Sequence, residues 1–341
     1  MSGDAHWMRL ALAEARRGTG LTSPNPCVGA VIVKDGRLLG SGWHRKAGGP
    51  HAEVEALRNA EEAQGLNALA GATAYVTLEP CSTHGRTPPC VEALIAAGIR
   101  RVVWGADDPN PKHAGQARGI LSAEEIEVAS GVLEEECREV IAPFAKLITT
   151  GLPWVIAKAG MSLDGRITRP EGEGQWITSE VSRADAMGLR VQCDAILVGA
   201  ETLRRDNPSL TLRGPDIPAE KEQPWRVILT HSGNLPPDSK VFTDEHSHRT
   251  LAMRSKPLPE VLQDLAARGV MCVLIEGGGR LLASAFSGRL VDEAVFYTAP
   301  VISGTGRPVV EADCFEEGSV TMQFTSVQRI GPDVKLRARI L

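Results

Sequence analysis

The sequence has no run of apolar residues near the roughly 18 needed to cross a bilayer, so no membrane partner is expected. It does not open like a secretory leader either. Between Met1 and Gly18, Asp4, His6, Arg9, Glu14, Arg16 and Arg17 alternate with apolar residues, and no apolar block follows. An excess of positive charge is also missing: 37 lysines and arginines against 42 aspartates and glutamates leave a net charge of −5. A broad nucleic-acid surface needs the opposite sign, so no nucleic-acid partner is expected. Small anions remain within reach, because a few local cations or a helix N-terminus suffice to bind them. Nor is there a disulfide framework, since the seven cysteines are odd in number and unevenly spread. These absences predict a soluble, cytoplasmic chain that handles small molecules.

What is present is ordinary globular composition, 43% hydrophobic and 23% charged, over 341 residues. That length suggests about two domains. In the first half, Asp4 can cap a helix running to Gly18. Val28–Lys34 and Leu38–Trp43 read as strands joined by the Asp35-Gly36 turn. A helix over His51–Gln64, a strand over Ala74–Glu79, a helix over Cys90–Ala97 and a strand over Arg101–Gly105 follow. The last three form a parallel strand–helix–strand unit. A charged helix, Val132–Ile148, closes the half, and Thr149–Pro153 reads as a linker. Beyond it, strands are expected at Trp154–Ala159, Ala195–Val198, Arg226–Leu229, Met271–Ile275 and Ala294–Tyr297, with helices at Ser179–Val191, Leu258–Arg268 and Arg280–Phe286. The halves do not repeat each other. Two unrelated α/β domains are expected, over 1–148 and 152–341.

The chemistry-bearing residues of the first half are His51-Ala52-Glu53, Pro80-Cys81 and Pro88-Pro89-Cys90. Each lies where a strand or loop meets a helix. One imidazole and two thiolates give three ligands for zinc and leave its fourth position open for water, the arrangement of a catalytic site. A helix N-terminus also lowers the pKa of a nearby thiol. Glu53, two residues from a ligand, is placed to shuttle protons. Cys27, Cys137, Cys193, Cys272 and Cys314 read as inert core thiols.

This His-x-Glu and Pro-Cys pattern resembles the zinc-dependent nucleobase and nucleoside deaminases, in which the glutamate is not a ligand. Deaminases that edit nucleic acid typically have Pro-Cys-x-x-Cys, whereas eight residues separate Cys81 from Cys90 here. That loop, with Asn25-Pro26, Val28-Gly29-Ala30 and Asp108-Pro109-Asn110-Pro111, resembles the deaminase half of the bifunctional deaminase/reductase family of riboflavin biosynthesis. One departure is visible: the family commonly carries Ser-His after the first cysteine, and this chain reads Ser82-Thr83-His84. The resemblance implies a zinc cytidine-deaminase-like α/β/α domain acting on a diaminopyrimidinone with a ribosylamino 5′-phosphate. Asn25 and His44 would contact the base, and Arg86 and Asn110 the ribose phosphate. Asn25 can equally be a turn residue before Pro26, and Arg86 a solvated cation.

In the second half, Val273–Ile275 runs through Glu276 into Gly277-Gly278-Gly279 and then a helix. Bare amides there can cradle a phosphate, or the glycines can simply make a tight turn. Lys158–Arg166, Gln175–Ser179 and Asp206-Asn207-Pro208 with Leu210 and Arg213 resemble the reductase half of the same family, which implies a dihydrofolate-reductase-like α/β domain. By that resemblance NADPH would be held by Gly160, Trp176, Thr202, Asp206 and the turn Gly278, Gly279, Arg280, Leu281, Leu282, Ala283 and Ser284. Gly174, Arg190, Leu210, Arg213 and Glu276 would face the substrate. For Arg190 the alternative is a helix-surface cation, and for Trp176 a core aromatic. After the Arg226–Leu229 strand the family often has Asp-Ser, where this chain has Thr230-His231-Ser232.

The expected enzyme is thus a zinc-dependent hydrolase and an NADPH-dependent oxidoreductase in one chain. It would deaminate 2,5-diamino-6-(5-phosphoribosylamino)pyrimidin-4(3H)-one, then reduce 5-amino-6-(5-phosphoribosylamino)uracil to its ribitylamino product. A dimer or tetramer of the chain is expected. The rivals are a nucleic-acid-editing deaminase, against which the charge argues, and a non-catalytic protein on a dead deaminase fold, against which the complete His51, Glu53, Cys81, Cys90 set argues.

Overall fold

The structure, a computed structural model, describes residues 3–65, 68–83, 88–215, 217–312, 315 and 318–341. The chain divides into two compact units, Met1–Gly151 and Leu152–Leu341.

In the first unit the order is α1 (Asp4–Arg16), β1 (Gly29–Lys34), β2 (Arg37–Trp43), α2 (Ala52–Gln64), β3 (Thr73–Leu78), α3 (Cys90–Ala96), β4 (Arg101–Ala106), α4 (Gln116–Ala123), β5 (Glu127–Ser130), α5 (Glu134–Val140) and α6 (Ala142–Thr150). The sheet runs β2-β1-β3-β4-β5. β1 is antiparallel to both its neighbours, while β3, β4 and β5 are parallel. Asp35 and Gly36 both take positive φ, as a hairpin turn with the right twist requires. Side chains alternate across the sheet: Ala30 and Ile32 pack on one face with Ala52, Ala56, Val91 and Leu121. Val31 and Val33 pack on the other with Met8, Leu12 and Cys137. Three layers result, helix on sheet on helix.

One contact in this unit bears directly on function. A Cβ on Gly42 would lie 2.4 Å from the backbone nitrogen of Ala56, so only glycine lets α2 lie so close to β2. That approach fixes the helix whose first turn carries Glu53.

The second unit contains β6 (Trp154–Ser162), α7 (Glu180–Gln192), β7 (Ala195–Gly199), α8 (Ala200–Asp206), β8 (Trp225–Thr230), α9 (Lys240–Thr243), β9 (Thr250–Arg254), α10 (Leu258–Ala267), β10 (Cys272–Ile275), α11 (Gly279–Ser287), β11 (Glu293–Ala299), β12 (Met322–Ile330) and β13 (Asp333–Ile340). Its sheet runs β12-β13-β11-β6-β10-β7-β8-β9, parallel from β11 to β9 and antiparallel at the β11–β13–β12 end. α10 and α11 cover one face through Val261, Leu265, Leu282 and Phe286. On the other, α7 packs through Ala186 and Leu189, and α8 through Leu203.

Several expectations need correction. Asp4 does not cap α1: Gly3 holds the cap position, and Asp4 instead forms a fork with Arg101 at 2.8 and 2.9 Å. The expected helix Val132–Ile148 is two helices, broken at Ile141 just before Pro143. Thr149 and Thr150 belong to α6, and the turn comes at Gly151, which takes φ 73°. The sequence reading had no counterpart for α4, β5, α8, α9, β9 and the β12–β13 hairpin.

Candidate active sites

The first site lies where β3 and β4, parallel neighbours, end, the usual place for a ligand in such a sheet. His51 caps α2, and Cys90 is the first residue of α3, behind Pro89. Cys81 follows β3 by two intervening residues. His51 Nδ1 lies 3.1 Å from Cys90 Sγ and 3.4 Å from Cys81 Sγ, and the two sulfurs are 3.3 Å apart. Ligand atoms about 2.0–2.3 Å from a tetrahedral zinc would be separated by only slightly more, so the three residues fit that ion. The donor chemistry fits too: the Cys90 thiol, its backbone N–H at 3.2 Å and His51 hold the Cys81 thiol well below the usual thiol range, at about 4.

Glu53 is buried in the first turn of α2, and burial pushes its carboxyl pKa up. Beside it the His44 and His51 rings meet edge-on at 5.4 Å. His44 Nδ1 donates to the Pro50 carbonyl at 2.9 Å, which leaves Nε2 to accept from Asn25 Nδ2 at 3.0 Å. Burial lowers the His44 pKa, so this neutral tautomer persists. Asn25 is therefore more than a turn residue.

Asn110 lies between β4 and α4. Its backbone N–H donates to Asp108 Oδ1 at 2.8 Å, and its own Oδ1 accepts from Lys112 N at 3.1 Å. Thr83, which stands where the family commonly has histidine, hydrogen-bonds His113 Nδ1 at 2.9 Å. Arg86 and His84 lie outside the described residues, as does Cys314. Cys27, Cys137, Cys193 and Cys272 are buried, as core thiols should be.

The second site lies at the ends of β7 and β10, beside the middle of β6. β10 pairs Ile275 with Ala157 and with Leu197, so one further step in that register puts Glu276 between Lys158 and Val198. From α7, Arg190 reaches Glu276 side-on: Nε to Oε1 is 2.6 Å and the second nitrogen to Oε2 is 2.9 Å. Arg190 also donates to the Thr211 carbonyl at 3.1 Å. Its side chain is only 13% exposed, so it is not a helix-surface cation. Burial alone would raise the Glu276 pKa, but the charges of Arg190, Lys158 and Arg213 outweigh it and bring it to about 2.

Lys158, in β6, also bears on Glu276, a role its motif alone does not reveal. The signal that could have found it is a single charge inside the apolar strand Val155–Ala159.

Among the other expected residues, Trp176 is 59% exposed, so it is no core aromatic, and the Arg183 guanidinium lies 4.9 Å from its ring centroid. Gly174 takes φ 91°, open only to glycine without strain. Gly160 sits in β6 against Thr178. Thr202 and Asp206 lie on α8, directly after β7. Leu210 takes φ 53°, and its side chain packs in the core with Ile196, Leu203 and Val241, which leaves its backbone to face a ligand. Leu282 and Ala283 are likewise buried in α11. Gly278 caps that helix, with open space where a Cβ would stand, and the first N–H groups of a helix have no carbonyl one turn back. That cradle fits a cofactor phosphate.

Two family models match. One is the cytidine and deoxycytidylate deaminase zinc-binding region, over residues 1–106. The other is the RibD C-terminal domain, over residues 153–336. Riboflavin biosynthesis protein RibD of Escherichia coli (strain K12) is 37% identical over 365 residues, covering 98% of each chain. The chain belongs to the RibD family. RibD of Mycobacterium tuberculosis (strain ATCC 25618 / H37Rv) is 41% identical over 337 residues, covering 96% of this chain and 95% of that one. Among solved structures, Acinetobacter baumannii RibD form 1 superposes with a TM-score of 0.90 at 37% identity, covering 99% of both chains. The diaminohydroxyphosphoribosylaminopyrimidine deaminase/5-amino-6-(5-phosphoribosylamino)uracil reductase of Thermotoga maritima gives 0.89 at 32% identity, again over 99% of both chains. As a RibD, the chain is a bifunctional deaminase and reductase of riboflavin biosynthesis, with zinc and NADPH as cofactors and small molecules as substrates. Among the described residues, no helix is long and apolar enough to cross a membrane.

Proposed function

We propose that residues 1–148 deaminate 2,5-diamino-6-(5-phosphoribosylamino)pyrimidin-4(3H)-one and that residues 152–341 reduce 5-amino-6-(5-phosphoribosylamino)uracil. The observation that carries the reading is the convergence of His51, Cys81 and Cys90 beside a buried carboxylate, Glu53. His51, Cys81 and Cys90 would hold the zinc, which when bound acidifies a water for attack on the ring carbon. Glu53 takes the proton from that water and delivers it to the exocyclic nitrogen, which leaves as ammonia. The Asn25–His44 pair orients the base, its tautomer fixed by the Pro50 carbonyl. Asn110 and Arg86 receive the ribose phosphate.

In the second site Gly160, Trp176, Thr202, Asp206 and the Gly278–Ser284 segment would hold NADPH, which when bound supplies a hydride for C1′ as the bond from C1′ to the ribose ring oxygen opens. Arg213 attracts the substrate phosphate, while Arg190, paired with Glu276, holds that carboxylate toward the substrate. Glu276, kept ionised by its cationic neighbours, accepts from ribose hydroxyls. Lys158, close enough to act on Glu276, would give a proton to the released ribose ring oxygen. Gly174 and the Leu210 backbone complete the substrate wall.

A cytoplasmic location suits a chain that must keep Cys81 and Cys90 as thiols for zinc. Self-association into a dimer or tetramer suits the exposed Phe324 and Val327 on the edge strand β12. The purified protein, given the diaminopyrimidinone phosphate, should release ammonia and then consume NADPH. Ammonia without later NADPH consumption would refute the second half of the reading, and no ammonia the first.

A further inference from the structure

Glu79 is buried, only 4% exposed, at the end of β3, two residues before Cys81. Its carboxylate is turned onto the main chain of the segment between β4 and α4. Oε2 accepts from Asp108 N at 3.3 Å and Gly115 N at 3.0 Å, and Oε1 accepts from Ala117 N at 3.2 Å. Its own N–H donates to the Ala106 carbonyl at 2.8 Å. One side chain thus closes a loop of the chain at both ends with three hydrogen bonds, the one to Ala117 buried and the other two partly buried. Both its oxygens are engaged, so Glu79 is not available to carry protons as Glu53 does.

The order is passed on. Asp108, held by Glu79, uses its Oδ1 to fix the backbone N–H of Asn110. Asn110 Oδ1 is turned to Lys112 N, which leaves Nδ2 as the donor that a phosphate or ribose oxygen can take. At the far end, Gln116 accepts from Ser82 at 3.2 Å and His113 contacts Thr83, so the same segment also braces the residues that follow Cys81.

We propose that Glu79 is a positioning residue for substrate discrimination in the deaminase: it holds 108–117 in the form that reads the phosphoribosyl end. The inference rests on the proposal that this segment faces that end. Glu79→Gln keeps the shape but sets an amide N–H against backbone N–H groups, so the segment loosens while the zinc ligands stay.

The test uses the full-length, zinc-loaded enzyme with the phosphorylated substrate and its dephosphorylated counterpart. In Glu79→Gln, the ratio of kcat/KM for the two should fall about tenfold. The loss should sit in KM for the phosphorylated form, with kcat and zinc content near wild type. An unchanged ratio overturns the proposal. So does loss of zinc or of the fold, because Glu79 would then serve the domain as a whole. Asn110→Ala separates the two ideas: an unchanged ratio there removes Asn110 as the contact. A lowered ratio in Asn110→Ala beside an unchanged one in Glu79→Gln removes only the positioning role.

Discussion

Arg190 and Glu276 stand 86 residues apart in sequence yet meet through two parallel hydrogen bonds, at 2.6 and 2.9 Å. Each side chain is 13% exposed, so the pair is largely shielded from water and salt. The pair does two things at once. It locks α7 to the end of β10, and by holding Thr211 it fixes the approach to Arg213. It also leaves Arg213 and Lys158 as positive charge not cancelled by Glu276, which is what an anionic substrate needs.

A pH dependence follows from the depressed Glu276 pKa. Its ordinary value is 4.5 and its folded value about 2, so its stabilisation is complete above about pH 5 and lost as pH falls toward 2. Stability of wild type and Glu276→Gln, measured by denaturant unfolding, should differ by a constant amount from pH 7 to about 5. Below that the difference should shrink. A difference that grows on acidification would refute the assignment.

Zinc should depend on all three ligands. Cys81→Ser and Cys90→Ser should each lower metal content well below one per chain, and a strong chelator should stop ammonia release from wild type. NADPH consumption on the already deaminated substrate should continue in every case, because the second site contains none of these residues. Full zinc retention in both variants would sink the ligand set.

Glu53→Gln separates ligand from catalyst. The variant should keep its zinc and fold but lose about 10²–10⁴-fold in deamination, the usual contribution of a general acid–base group. Ammonia release near the wild-type rate would show that another group moves the proton.

The zinc constellation was legible because its signals are local: His51, Cys81 and Cys90 each sit at a strand or helix junction marked by glycine or proline. The Asp35-Gly36 hairpin was legible for the same reason. The Arg190–Glu276 pair was not, because only the register of β10 against β6 and β7 brings it together. The β12–β13 hairpin escaped notice because much of it is exposed, so no apolar alternation marks it. The α5–α6 break was marked only by Pro143, since the charges of Glu134–Glu139 and the apolar run after them can both belong to one helix. The core packing of the Leu210 side chain was not legible either, because it depends on a left-handed backbone that no sequence pattern marks.

The last prediction concerns the independence of the second unit. Residues 152–341 carry their own sheet, with α10 and α11 on one face and α7 and α8 on the other, enough for a separate hydrophobic core. The residues assigned to NADPH and to the reductase substrate all lie within this unit. That piece alone should therefore fold, bind NADPH and reduce the deaminated substrate. In it, Arg213→Ala should raise the substrate KM with little change in kcat, as loss of a contact made equally in ground and transition states does. NADPH affinity should change little, since Arg213 is assigned to the substrate and not to the cofactor. A folded 152–341 chain that fails to bind NADPH in a fluorescence titration would overturn the cofactor assignment. Unchanged KM in Arg213→Ala would remove only the phosphate role of that residue.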